Sequence, residues 1–268
     1  MLGAKKILFR TLKLLLIFYV IICILLYFFQ ERLIFFPKIL SKEYRFSFPQ
    51  PFEELAIKTT DGKLLNGLLF PAEQLKGLVF YLHGNAGALD AWGEVAKRYT
   101  DLGYDVFMLD YRGFGKSEGT IKNQTQFFDD IQAAYHQMKN RYKEDSIVIL
   151  GYSIGTGPAA YLASVNHPKM LVLQAPYFSL ADMMRHYYRV IPTFLLKYKF
   201  KTNEYIKSCK MPVVIFHGDQ DEVIYYGSSL KLKTAMKNSD TLITLYGQGH
   251  NGITDNPQYI GAIRQLLK

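Results

Sequence analysis

Two cysteines are too few for a disulfide framework. Cys23 lies inside an apolar run and Cys209 stands alone ahead of Met211-Pro212, so neither has the spacing of a metal site or the company of a catalytic thiol. Internal repeats, low-complexity tracts, Arg-rich repeats and RNP-like aromatic motifs are missing as well, and no nucleic-acid partner is expected. The net charge of +9 does not reverse that reading. Residues 1–42 hold seven Lys and Arg against one acidic residue, +6 of the total, which leaves 25 basic and 22 acidic residues, +3, for the rest.

The same N-terminal stretch lacks a small-x-small cleavage site and a polar helical face. From Leu14 to Phe29 no charge interrupts sixteen residues of almost pure Leu, Ile, Phe, Tyr and Val. At about 1.5 Å per residue this run spans roughly 24 Å, and with Lys13 snorkelling the stretch from Thr11 to Gln30 reaches bilayer length. The run passes straight into Phe28-Phe29-Gln30-Glu31-Arg32, so an uncleaved signal anchor is expected over residues 1–36, with the transmembrane part at about 11–30. Lys5, Lys6, Arg10 and Lys13 precede it, whereas Glu31 and Arg32 follow. That bias predicts a cytoplasmic N-terminus, a single pass and an extracytoplasmic domain.

Beyond Pro37 the chain has what an α/β domain needs, with 49% hydrophobic residues overall to supply a core. Short β-rich runs alternate with helical patterns, which predicts a mostly parallel sheet covered on both faces over residues 37–268. Eight strands are expected, at Leu55 to Lys58, Leu65 to Phe70, Gly77 to Leu82, Asp105 to Leu109, Ser146 to Leu150, Met170 to Gln174, Pro212 to Phe216 and Thr241 to Leu245. Thr60-Asp61-Gly62 reads as a hairpin turn between the first two. Helices are expected around Trp92 to Leu102, Thr125 to Arg141, Ile154 to Ser164, Ser228 to Lys237 and Gln258 to Leu267.

The most informative stretch is Ile147 to Gly157, where an apolar strand stops on Gly151-Tyr152-Ser153-Ile154-Gly155. In a G-x-S-x-G turn the serine occupies a strained bend between strand and helix, and side chains at the glycine positions would collide with neighbouring backbone. Five residues can match by chance. Here a predicted strand precedes the motif, and a helix with small residues at Gly155, Gly157, Ala159, Ala160 and Ala163 follows it, so Ser153 is read as a nucleophile.

Such a nucleophile needs amide donors for the oxyanion it creates. His83-Gly84-Asn85-Ala86-Gly87 follows the third strand; by itself it could be an ordinary βα turn around a core histidine, but beside the elbow it supplies a candidate donor. Asn85 N–H and Ile154 N–H are the expected oxyanion pair. Asp110-Tyr111-Arg112-Gly113-Phe114-Gly115-Lys116-Ser117 looks like a fragment of a P-loop, but Asp110 occupies the place of that motif's first glycine. It is read as a structural loop whose Asp110 and Arg112 bond to backbone or to each other.

A base and an acid follow at strand ends. His250, in Gly247-Gln248-Gly249-His250, is placed to act as general base and then general acid. For the acid, His217-Gly218-Asp219-Gln220-Asp221-Glu222 offers Asp219 and Asp221, with Glu222 more distant, and spacing does not choose between the two aspartates.

Taken together, the His83, Asp110, Ser153, His217 and His250 motifs resemble those of the α/β-hydrolase superfamily over residues 50 to 268. Gln30 to Pro37 further resembles the stretch that follows the anchor in single-pass, membrane-anchored α/β-hydrolase-domain proteins of the yeast bud-emergence type. The resemblance implies that the acid is the aspartate four residues beyond His217, which is Asp221, and that no metal or organic cofactor is used. It implies esterase-like, peptidase-like or protein-depalmitoylating chemistry without choosing among them.

Tyr177 to Cys209 falls where this fold inserts a lid. The segment is short, aromatic and dotted with Arg185, Arg189, Lys197, Lys199 and Lys201, which suits an acyl pocket or a face on anionic lipid as well as a helix simply packed over the sheet. The expectation from sequence is an anchored serine hydrolase of ester-type acyl bonds, with a small-molecule or lipid-like acyl substrate. An aminopeptidase or thioesterase using the same residues, or an anchored scaffold with an idle triad, are the alternatives.

Overall fold

A computed structural model describes residues 2–268. Eight strands form one sheet: β1 (Glu53–Lys58), β2 (Leu64–Phe70), β3 (Gly77–Leu82), β4 (Tyr104–Leu109), β5 (Ile147–Tyr152), β6 (Met170–Gln174), β7 (Val213–Gly218) and β8 (Thr241–Leu245). Their order in space is β8-β7-β6-β5-β3-β4-β2-β1. β2 runs antiparallel to both β1 and β4, and every other pairing in the sheet is parallel. All eight expected strands are present, most of them a residue or two longer than their apolar runs.

Alternation along the central strands divides the core between the two faces of the sheet. Leu78, Phe80 and Leu82 of β3 pack with Phe107, Ile149 and Leu171 on one face. Val79 and Tyr81 pack with Met108, Val148, Leu150 and Val172 on the other. Because both faces are covered, these strands read as continuous apolar runs. Helix α4 (Gln124–Lys139) is capped by Asn123, whose side chain accepts from Gln126 N–H, and it buries Phe127, Phe128, Ile131, Ala134, Tyr135 and Met138 against the first face.

Two helical expectations are corrected. The pattern from Trp92 to Leu102 is broken into α2 (Leu89–Trp92), a 3₁₀ turn (Gly93–Ala96) and α3 (Lys97–Thr100). Phe48 packs on Gly93 so closely that a side chain there would meet its ring. Ser228 to Lys237 shortens to α8 (Gly227–Lys233). The remaining expectations hold as α5 (Thr156–Ser164) and α9 (Pro257–Leu266).

At the N-terminus, α1 is a single helix over Leu2–Ile34, longer at both ends than the expected apolar span. Its Ala4–Ile34 stretch is long and apolar enough to cross a bilayer, and none of its most apolar window is buried. The chain then enters a two-residue strand, Phe36–Pro37, which pairs in parallel with Ala86–Gly87. Between β6 and β7 the insert of residues 177–209 carries α6 (Leu180–Tyr187), a 3₁₀ turn (Thr193–Leu195) and α7 (Thr202–Ser208).

Candidate active site

β3 is flanked in space by β4 and β5, so the chain leaves the sheet in opposite directions at their carboxyl ends. That switch point is where open α/β sheets place their ligands. The β5 carboxyl end delivers Ser153, whose φ of 54° lies in the left-handed region that side chains rarely adopt. The bend is over-determined by its neighbours. A Cβ on Gly151 would come within 2.5 Å of Gly155 O and 2.7 Å of the Ala159 methyl, and one on Gly155 would overlap the Leu82 carbonyl. The turn can therefore close only with glycine at both positions.

His250 reaches Ser153 from the loop after β8, with Nε2 at 3.0 Å from Oγ. Its other nitrogen, Nδ1, lies 2.7 Å from Asp221 Oδ2. This distance separates the two candidate acids: Asp221 is buried under the imidazole, whereas Asp219 is exposed and its Oδ1 accepts from Gly247 N–H at 2.7 Å. Asp219 thus braces the loop that carries His250, and Asp221 meets the ring.

The Asp221 carboxylate is satisfied on both oxygens. Oδ1 accepts from the Val223 and Ile224 amides at 2.9 and 2.8 Å, and Oδ2 accepts from His250 and, at 3.1 Å, from His217 Nε2. Burial opposes ionisation, but the hydrogen bonds from His217 and His250, the charge that His250 can carry, and the Ile224 amide outweigh it. The carboxyl is held well below the ordinary aspartate range. His217 is itself fixed, with Ser229 Oγ at 2.6 Å from Nδ1 and the Ile224 carbonyl at 2.9 Å from Nε2.

The third loop lies opposite the serine. His83 is buried beneath it, with Nδ1 donating to Gly84 O at 2.7 Å and its ring tilted against Tyr111, the centroids 4.3 Å apart. Burial lowers its pKa to about 4, despite hydrogen bonds to backbone that act the other way, so the ring is neutral at physiological pH. His83 is the core histidine of the turn, and it shapes the loop from below. Asn85 is only partly buried and its side-chain oxygen accepts from Phe36 N–H at 3.3 Å, while its own amide donates to no group among the described residues. Ile154 is the second residue of the 3₁₀ turn Ser153–Gly155 leading into α5, where the first amides of a helix are left unpaired.

Several contributors escaped that reading. Tyr152 donates to the His250 carbonyl at 2.6 Å, and the middle residue of a G-x-S motif carries no signal of such a role. His217 was visible in the motif but not its bond to the acid. Trp92 Nε1 holds Ala86 O at 2.8 Å, and Tyr111 donates to His83 O at 2.9 Å, which fixes the loop at both ends. The Asp110 loop is structural as expected, with one correction. Asp110 accepts from Leu89 N–H at 3.1 Å, but Arg112 pairs with Asp61 and Asp130 instead of with backbone or Asp110, because both carboxylates lie within 2.6–2.8 Å of its guanidinium.

A cleft of about 690 Å³ opens beside the amino ends of β3 and β4 among Lys76, Lys97, Arg98 and Arg264, and its lining does not include Ser153, Asp221 or His250. Ser153 and His250 are themselves almost covered, at 8% and 6% exposed. The fold and the elbow have counterparts among known proteins. A family model described as serine aminopeptidase, S33 matches residues 73–204. An uncharacterized protein of Mycobacterium tuberculosis is 30% identical over 245 residues, covering 89% of this chain and 87% of that protein. The chain belongs to the α/β-hydrolase superfamily.

The hydrolase is also 30% identical over 195 residues to alpha/beta hydrolase domain-containing protein 17C of Xenopus tropicalis, covering 70% of this chain and 61% of that one. Among solved structures, an esterase of Pyrococcus furiosus superposes with a TM-score of 0.69 at 20% identity, covering 87% of this chain and 97% of its own. At that identity the likeness shows the fold alone.

Proposed function

We propose that this hydrolase is a membrane-anchored serine hydrolase that cleaves ester-type acyl bonds through an acyl-enzyme. The observation that carries the reading is the relay Ser153 Oγ, His250 Nε2, His250 Nδ1 and Asp221 Oδ2, with gaps of 3.0 and 2.7 Å, built on a left-handed serine. Ser153 attacks the acyl carbon while His250 takes its proton. Asp221 holds the imidazole in the tautomer that accepts at Nε2 and stabilises the imidazolium. The Asn85 and Ile154 amides receive the oxyanion of the tetrahedral intermediate. The imidazolium then protonates the departing alcohol, and the same steps run with water to release the acid and restore Ser153.

The family description favours a second reading, an aminopeptidase with the same relay. It requires a carboxylate free to hold a substrate ammonium. Glu222, the acidic neighbour of Asp221, is turned to His250 N–H at 3.4 Å, which favours the ester reading.

The test uses the full chain in detergent. Wild type is expected to react with a fluorophosphonate probe, Ser153→Ala to be inert, and Asp221→Asn to hydrolyse p-nitrophenyl esters about 10⁴-fold more slowly. A series of esters, thioesters and aminoacyl p-nitroanilides ranks the leaving groups. Failure of folded wild type to label would replace the enzyme by an anchored scaffold. The same reading places Lys5, Lys6, Arg10 and Lys13 in the cytoplasm and the domain outside, and protease added to sealed vesicles of known orientation checks that placement.

A further inference from the structure

The insert over residues 177–209 does not sit apart from the N-terminal helix. Tyr19 of α1 donates to the Val190 carbonyl at 2.6 Å. Farther along the helix, Gln30 donates to Leu195 O at 3.1 Å and accepts from Lys197 N–H at 2.8 Å, and Glu31 meets Lys197 Nζ and the Tyr198 hydroxyl at 3.1 and 3.2 Å. Residues 190–198 therefore run beside α1 in the same direction as the helix. Eleven residues separate Tyr19 from Gln30, about 16 Å at 1.5 Å per residue.

That offset fixes the depth of the loop, given the anchor proposed above. With Gln30 at the outer boundary of the apolar span, Tyr19 lies near the middle of a hydrocarbon layer about 30 Å thick. Val190 is bonded to it there. We infer that residues 190–194 of the insert are immersed beside α1 in the acyl layer of the bilayer, so that this hydrolase meets its membrane through a loop as well as a helix.

The side chains of the loop suit that place. Tyr188, Val190 and Phe194 are 65, 75 and 80% exposed, an apolar surface continuous with the bare flank of α1. Irregular backbone is tolerated in hydrocarbon only where its polar groups find partners within the protein. Part of this backbone is paired in that way: Ile191 N–H bonds Tyr188 O, Leu195 N–H bonds Pro192 O, and side chains of α1 take the Val190 and Leu195 carbonyls. Pro192 has no amide hydrogen to satisfy.

The experiment reads depth directly in the full chain, reconstituted in phosphatidylcholine vesicles. Single cysteines at Val190 and Phe194, in a Cys23→Ser background, carry a bimane fluorophore; Cys209 is buried and its thiol is pushed up to about 12 by burial, so it stays unlabelled. Bimane on the native Cys23 reports on the anchor, and bimane on Tyr246→Cys, in an exposed loop, reports on water. The expected result is a blue shift and loss of emission at positions 190 and 194 with lipids doxyl-labelled along the acyl chain, matching Cys23, and no change at 246. Quenching at Cys23 but not at 190 and 194 overturns the inference and leaves the anchor standing. No quenching at Cys23 removes the anchor and the inference together.

Discussion

Asp219 and Asp221 show how two residues of one type in one loop acquire different work. Asp221 holds four donors in a buried pocket, including both histidines, whereas Asp219 braces one amide at the surface. Asp219→Asn is expected to lower ester hydrolysis by less than about tenfold, against the about 10⁴-fold loss for Asp221→Asn. Steady-state kinetics on both variants separates the roles, and equal losses would shift the acid's role toward Asp219. At the elbow, Gly151→Ala would drive a methyl into Gly155 O and Ala159 and is expected to cost about 1–3 kcal/mol in urea unfolding.

Among elements, the strap over residues 35–40 joins α1 to the loops after β3 and β4. Phe36–Pro37 pairs with Ala86–Gly87, Lys38 N–H bonds Gly87 O, and Leu40 N–H bonds Gly115 O, so the loop that carries Asn85 is held partly by residues that follow α1. A chain starting at residue 42 keeps every sheet strand but loses this pairing. It is expected to fold and to react with fluorophosphonate about 10–100-fold more slowly than a chain starting at residue 33. Arg112 is the corresponding tie elsewhere, joining Asp61 of the first hairpin to the buried Asp130 of α4. Arg112→Ala strands the Asp130 carboxylate and is expected to cost about 3–5 kcal/mol, measured by denaturant unfolding, while Arg112→Met with Asp130→Leu recovers much of that loss.

For the whole molecule, the ionised Asp221 links stability to pH. Its carboxyl titrates well below 3.8 in the fold, so the unfolded chain binds the proton first as pH falls. The stabilisation is complete above that value and is lost as pH drops toward the lowered folded pKa. Wild type is therefore expected to lose unfolding free energy more steeply than Asp221→Asn between about pH 4 and about pH 2, followed by urea midpoints at each pH. Parallel slopes would show that this carboxylate is not held below its ordinary range.

Local chemistry alone determined the strands, the elbow and the three loops that end on Asn85, Ser153 and His250. Buried parallel strands must be apolar on both faces, and a left-handed serine leaves room only for glycine around it, so both are written in neighbouring residues. The choice of Asp221 over Asp219 was not legible from spacing, because either aspartate is close enough along the loop and only the register of β7 against β8 decides which one lies under the ring. Tyr152 on the His250 carbonyl, Arg112 between Asp61 and Asp130, and Val190 on Tyr19 join residues 98, 51 and 171 positions apart in the chain. Such contacts depend on where whole elements pack, and no local pattern encodes them. The tertiary structure therefore decided how the N-terminal helix, the insert and the loops at the carboxyl end of the sheet meet.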